Sequence, residues 1–73
     1  MKTTLSEYIK RKRKKLKMDQ RELANTAGVG LRFLRELEQG KPTLRMDKVN
    51  QVLKLFGSQL GPVKLTEVND EER

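Results

Sequence analysis

Seventy-three residues make a single domain, near the lower limit at which a chain buries enough surface to fold unaided. Only 34% of the residues are hydrophobic and 37% are charged, so the core must be thin; with no cysteine and no histidine, neither a disulfide nor an ordinary zinc site can brace it. The remaining brace is a second subunit, so a homodimer is expected. A formal charge of +7 points to a polyanionic partner. The cations crowd residues 10–21, whereas Asn69-Asp70-Glu71-Glu72-Arg73 is mostly acidic. No apolar run is long enough to span a membrane and the first residues do not read as a signal peptide, so the expected location is cytoplasmic.

The first helical pattern runs from about Thr4 to Lys17, with Leu5, Tyr8, Ile9 and Leu16 at helical spacing. Thr4 and Glu7 have the spacing of a capping box, and Asp19 with Glu22 repeats it. A short second helix follows from Gln20 to Thr26, burying Leu23, Ala24 and Ala27, and Gly28 supplies the residue type a sharp helix-ending turn needs. A third helix, from Gly30 or Leu31 to Gln39, turns Leu34 and Leu37 inward and stops at Gly40, and Lys41-Pro42 breaks the pattern. The fourth, from Arg45 to Phe56, carries Met46, Val49, Val52, Leu53 and Phe56 on one stripe, closed by Gly57. Beyond it, Leu60, Val63 and Leu65 alternate imperfectly around Pro62 and predict a short strand. The expected fold is therefore all-α: a compact four-helix helix-turn-helix domain over residues 1–57, a strand-like dimerisation segment over 58–66 and a disordered acidic tail over 67–73.

The informative stretch is Gln20-Arg21-Glu22-Leu23-Ala24, then Gly28-Val29, Leu34, Leu37-Glu38 and Gly40. Two short helices joined by a glycine turn and preceded by a basic helix make a helix-turn-helix. A small Ala24 is needed where the helices cross, and Val29 and Leu34 lock the second helix on the first. The outer face of that second helix is then held at an angle suited to a major groove.

Over residues 5–57 this pattern resembles the Cro and phage-repressor, or Xre, helix-turn-helix family. The run from Val29 to Thr43 resembles its HipB-like antitoxin branch. The resemblance implies a transcriptional repressor bound to double-stranded operator DNA as a homodimer. Gln20 would meet a phosphate, with Arg21 beside it, and Lys41 would meet another. Gly30, Leu31, Arg32, Arg35 and Glu36 fall where the recognition helix reaches DNA, and Arg13 with Glu38 matches a structural ion pair. The antitoxin branch further implies a HipA-like serine/threonine kinase toxin as partner and a C-terminal strand paired across the dimer axis. The alternative is a free-standing phage- or restriction-modification-type regulator with no toxin.

The chain departs from the family where it matters. Gly30 has no side chain and Leu31 can only meet a thymine methyl or pack on sugars, so direct readout falls to Arg32 and Arg35. Glu36 either accepts from a cytosine amino group or orients Arg32 at i,i+4 spacing. Lys17 stands where many relatives have a turn glycine. Phe33 reads as core, dimer contact or a wedge near the DNA backbone, and Lys10 to Lys15 as a solvated face or a set of phosphate contacts. No nucleophile–base pair, glycine-rich phosphate loop or metal cluster appears, so the expectation is no enzyme, no cofactor and no small-molecule ligand.

Overall fold

The computed structural model describes residues 4–63, which form four helices: α1 (Leu5–Lys15), α2 (Gln20–Ala27), α3 (Leu31–Gln39) and α4 (Met46–Lys54). Both expected capping boxes are present. Thr4 Oγ1 accepts from the Glu7 amide at 3.2 Å while Glu7 returns a carboxylate to the Thr4 amide at 3.1 Å. Asp19 and Glu22 do the same at 2.8 and 2.9 Å. Each box satisfies two backbone donors that a helix start would otherwise leave open. At the start of α4, Arg45 forks onto Asp47 at 3.1 and 2.7 Å; those hydrogen bonds hold the exposed Asp47 carboxyl below its usual range.

All four helices end on one device, the paired backbone bonds that satisfy the last carbonyls when the chain turns left-handed. Met18 N–H reaches Arg13 O and Lys17 N–H reaches Lys14 O. The same pairing recurs as Val29 to Ala24 with Gly28 to Asn25, Lys41 to Glu36 with Gly40 to Leu37, and Ser58 to Leu53 with Gly57 to Lys54. Glycine occupies the left-handed position in three of them, at φ 76°, 83° and 71°; at the first it is Lys17, at φ 59°. This turn ends α1 at Lys15, two residues before the expected Lys17.

The core joins all four helices. Ile9, Leu23, Leu34, Leu37 and Val52 are fully buried, with Ala24, Val29, Val49 and Leu53 around them. Each large aliphatic side chain taken out of water contributes about 1.5–3 kcal/mol. Helix α3 packs on both α1 and α2, and α2 also packs on α4. Leu31 and Phe33 are half-buried against this core, so Phe33 is a packing residue of the domain.

Three expectations need correction. Leu16 is 55% exposed because it follows the last residue of α1, where the backbone leaves the helical path that would have carried it inward. Met46 is 67% exposed: it is the first residue of α4, outside the stripe formed by Val49, Val52 and Leu53. The strand is absent from residues 58–63, which lie back against their own domain. Ser58 Oγ is hydrogen-bonded to Tyr8 Oη at 2.8 Å, and the Leu60 amide donates to Asn50 Oδ1 at 2.7 Å, so a backbone donor that a strand would offer to a neighbour is taken by a side chain. Residues 64–66 of the expected strand and the expected acidic tail over 67–73 lie outside the described residues.

Candidate nucleic-acid interface

The α2–α3 unit is fixed from both sides. On one side, Gln51 of α4 donates from Nε2 to Ala27 O and Gly28 O at 3.1 and 3.2 Å, tying the turn between the two helices to the core. A Cβ on Gly28 would stand 3.4 Å from that same nitrogen, and φ 76° would strain any side chain there. On the other side lies a buried polar hub. Glu38, 4% exposed, accepts from Arg13 Nε at 2.8 Å, from Arg13 Nη2 at 3.1 Å and from Gln20 Nε2 at 3.0 Å. Arg13 Nη1 donates to Met18 O at 2.9 Å. One carboxylate thus joins α1, α2 and α3, and the arginine it holds also pins the α1–α2 turn. The hydrogen bonds that Arg13 donates to Glu38 raise its pKa above the ordinary value, against the opposing effect of burial. Among the described residues, no buried side-chain nitrogen or oxygen lacks a partner.

With Leu34, Leu37 and Glu38 committed inward, α3 presents Arg32, Arg35, Glu36 and Gln39 along its outer face at i, i+3, i+4 and i+7 spacing. The Arg32 side chain is 93% exposed. Glu36 spends one oxygen on Arg32 Nε and the other on Lys41 Nζ, both at 3.5 Å. The i,i+4 pairing of Arg32 with Glu36 is therefore present, and it extends to Lys41 in the loop after α3. Gly30 caps α3 in an extended conformation with no side-chain cap, and a Cβ there would meet nothing within 4 Å. The first amides of α3 are left without a side-chain acceptor from their cap.

Of the residues expected at the interface, Gly30, Arg32 and Arg35 are exposed on α3 or at its start, and Glu36 and Lys41 flank them. Leu31 is half-buried. Arg21 is exposed on the first turn of α2, whereas the neighbouring Gln20 turns its amide to Glu38. Sequence reasoning passed over Gln39 and Gln51. The spacing of Gln39 from Arg32 and Arg35 was a usable signal; Gln51, distant in the chain from Ala27, offered none.

A rigid helix-turn-helix with a charged, outward-facing second helix is the architecture of a DNA-binding regulator domain. The helix-turn-helix family model matches residues 9–63, and the chain belongs to this Xre-type family. It is similar to the uncharacterized HTH-type transcriptional regulator y4mF of Sinorhizobium fredii (strain NBRC 101917 / NGR234), with 52% identity over 52 residues. That match spans 71% of this chain and 66% of the relative. No solved structure matches. Among the described residues, no helix is long and apolar enough to cross a membrane, and no cluster of acidic, histidine or cysteine residues is placed to hold a metal.

Proposed function

We propose that the chain is a sequence-specific repressor that binds operator DNA as a homodimer. The observation that carries this reading is the outer face of α3, where Arg32 and Arg35 project from a helix whose inner face is fixed by Leu34, Leu37 and the Glu38 hub. Two such helices in a dimer lie about 34 Å apart, one turn of DNA. Arg32 and Arg35 supply base discrimination through guanine contacts. Arg21, Lys41 and the basic side of α1 supply phosphate contacts and salt-dependent affinity. Gln20, held by Glu38, sets the α2 N-terminus against a phosphate, and Leu31 packs on sugars or a thymine methyl. The Glu36 carboxylate keeps Arg32 and Lys41 extended until DNA takes them.

Selection from random duplex DNA tests this directly. The wild-type chain is expected to enrich an inverted repeat. Arg32→Ala and Arg35→Ala are each expected to relax one base position by about 1–3 kcal/mol. Equal losses on operator and random DNA would refute the readout roles, and enrichment of an unpaired half-site would refute the dimer.

The finer reading is that of a HipB-like antitoxin that represses its own operon together with a HipA-like serine/threonine kinase toxin. The run from Val29 to Thr43 supports it by resemblance. Co-purification of a kinase-fold protein encoded by the neighbouring reading frame is the outcome expected.

A further inference from the structure

Two hollows lie end to end along α1. The first is lined by Leu5, Tyr8, Leu53, Leu60 and Val63; the second by Lys12, Lys15, Leu16, Leu55 and Phe56. They adjoin because Lys12 Nζ stands 5.6 Å from the centroid of the Tyr8 ring, one helical turn on. The floor of the second hollow is apolar, with Leu16 55% and Leu55 42% exposed, and its rim carries two ammonium groups. A second copy seated here about a two-fold axis would bring together two patches that each carry these lysines and no carboxylate, so the surface selects against itself. An occupant with apolar anchors and carboxylates fits it.

The sequence contains such a segment directly after Val63. Leu65 and Val68 are apolar, and Glu67, Asp70, Glu71 and Glu72 are acidic. Val63, the last described residue, lines the first hollow. Tyr8 to Lys15 spans about 10 Å along α1 and Leu16 follows it, a path that about four extended residues cover. We propose that residues 64–73 dock along α1 in their own chain, with Leu65 beside Tyr8, Val68 against Leu16, Leu55 and Phe56, and the carboxylates beside Lys12 and Lys15. The docked segment covers exposed apolar surface and screens part of the basic face of α1.

The chain has no cysteine, so Asn69→Cys provides a unique site for a nitroxide label. In low salt, the Leu16 and Leu55 methyl signals of the full chain should lose most of their intensity. The loss should persist when the labelled chain is diluted into excess unlabelled, diamagnetic protein. It should largely disappear in Lys12→Glu/Lys15→Glu, whose far-UV circular dichroism should match that of the unsubstituted chain. Undiminished methyl signals in the labelled chain would overturn the proposal, as would broadening that the charge reversal leaves in place. Broadening that vanishes on dilution would assign the segment to another copy and overturn it equally. None of these readouts uses DNA, so the result is independent of the repressor reading.

Discussion

Glu38 shows how one side chain can hold three helices. A carboxylate this deeply buried is tolerated because Arg13 and Gln20 direct three N–H donors at it. Removing the carboxylate strands the Arg13 charge in a nearly buried position, which costs about 3 kcal/mol or more. In a domain of this size, that lowers the thermal midpoint by more than about 10 °C. Glu38→Ala should therefore melt far below wild type in a calorimetric scan, and Arg13→Met/Glu38→Leu should recover much of the loss, since no charge is then left unpaired. Equal midpoints for wild type and Glu38→Ala would contradict the role. The raised Arg13 pKa has a defined sign in this. A folded-state value above the ordinary arginine range makes its contribution complete at every lower pH and lost only above that range. The arginine side of the pair is thus indifferent to pH across the physiological window.

Lys17 makes the opposite kind of contribution. It holds φ 59° in the turn after α1, a conformation that costs a residue with a Cβ about 1–2 kcal/mol. Glycine relieves that strain, and the greater freedom of its unfolded chain returns about 0.4–1 kcal/mol of the gain. Lys17→Gly should raise the thermal midpoint by a few degrees. A fall would show that the lysine side chain contributes more than its backbone strain removes.

At the scale of elements, helix starts and stops were the most legible part of the sequence. Thr4 with Glu7 and Asp19 with Glu22 form the boxes their spacing predicts, and Gly28, Gly40 and Gly57 end the helices they follow. The stop after α1 was misread: periodicity ran the helix on to Lys17, although the resemblance sets a turn glycine there, because nothing local marks a lysine as left-handed. Leu16 and Met46 were misplaced for a related reason: hydrophobic periodicity assumes that a helix continues, and both sit where it does not. The strand failed differently. Alternation in residues 58–65 predicts a ladder, but an edge needs a partner, and within this chain Asn50 and Tyr8 offer side-chain bonds instead. The outer face of α3 was legible as a set of positions, while its coupling to Lys41 through Glu36 depended on a turn whose geometry only the fold supplies.

Gly30 links the element scale to function. It accepts any side chain sterically, with φ −72° and open space at its Cβ. Gly30→Asp should cap α3 and favour its positive end, stabilising the fold by about 0.5 kcal/mol. The same carboxylate faces the expected DNA phosphates, so duplex affinity should fall several-fold. Gly30→Ser should give a similar cap without the affinity loss. Parallel melting and anisotropy titrations separate the two effects, and a Gly30→Asp protein that keeps wild-type affinity would move the α3 N-terminus away from the DNA.

The whole molecule is defined by the separation of its charges: cations crowd residues 10–21 and carboxylates crowd 67–72. This asymmetry was visible in the sequence, but its consequence depends on the groove between α1 and the residues from Leu53 to Val63, which no linear pattern encodes. If the acidic segment lies against Lys12 and Lys15, it competes with phosphates for the field of α1. Replacing Glu67, Asp70, Glu71 and Glu72 by their amides removes four of the negative charges opposing that field, raising the net charge from +7 by the same number. Binding to random duplex DNA should tighten, and more so near 50 mM than near 200 mM salt, because each cation freed to meet a phosphate steepens the salt dependence by about one counterion. Discrimination between operator and random sequences should stay the same, since Arg32 and Arg35 are untouched and phosphate contacts strengthen binding to both duplexes alike. Anisotropy titrations on both duplexes across that salt range provide the measurement. An unchanged slope would mean that the carboxylates act only through net charge at a distance, away from the cations that meet DNA.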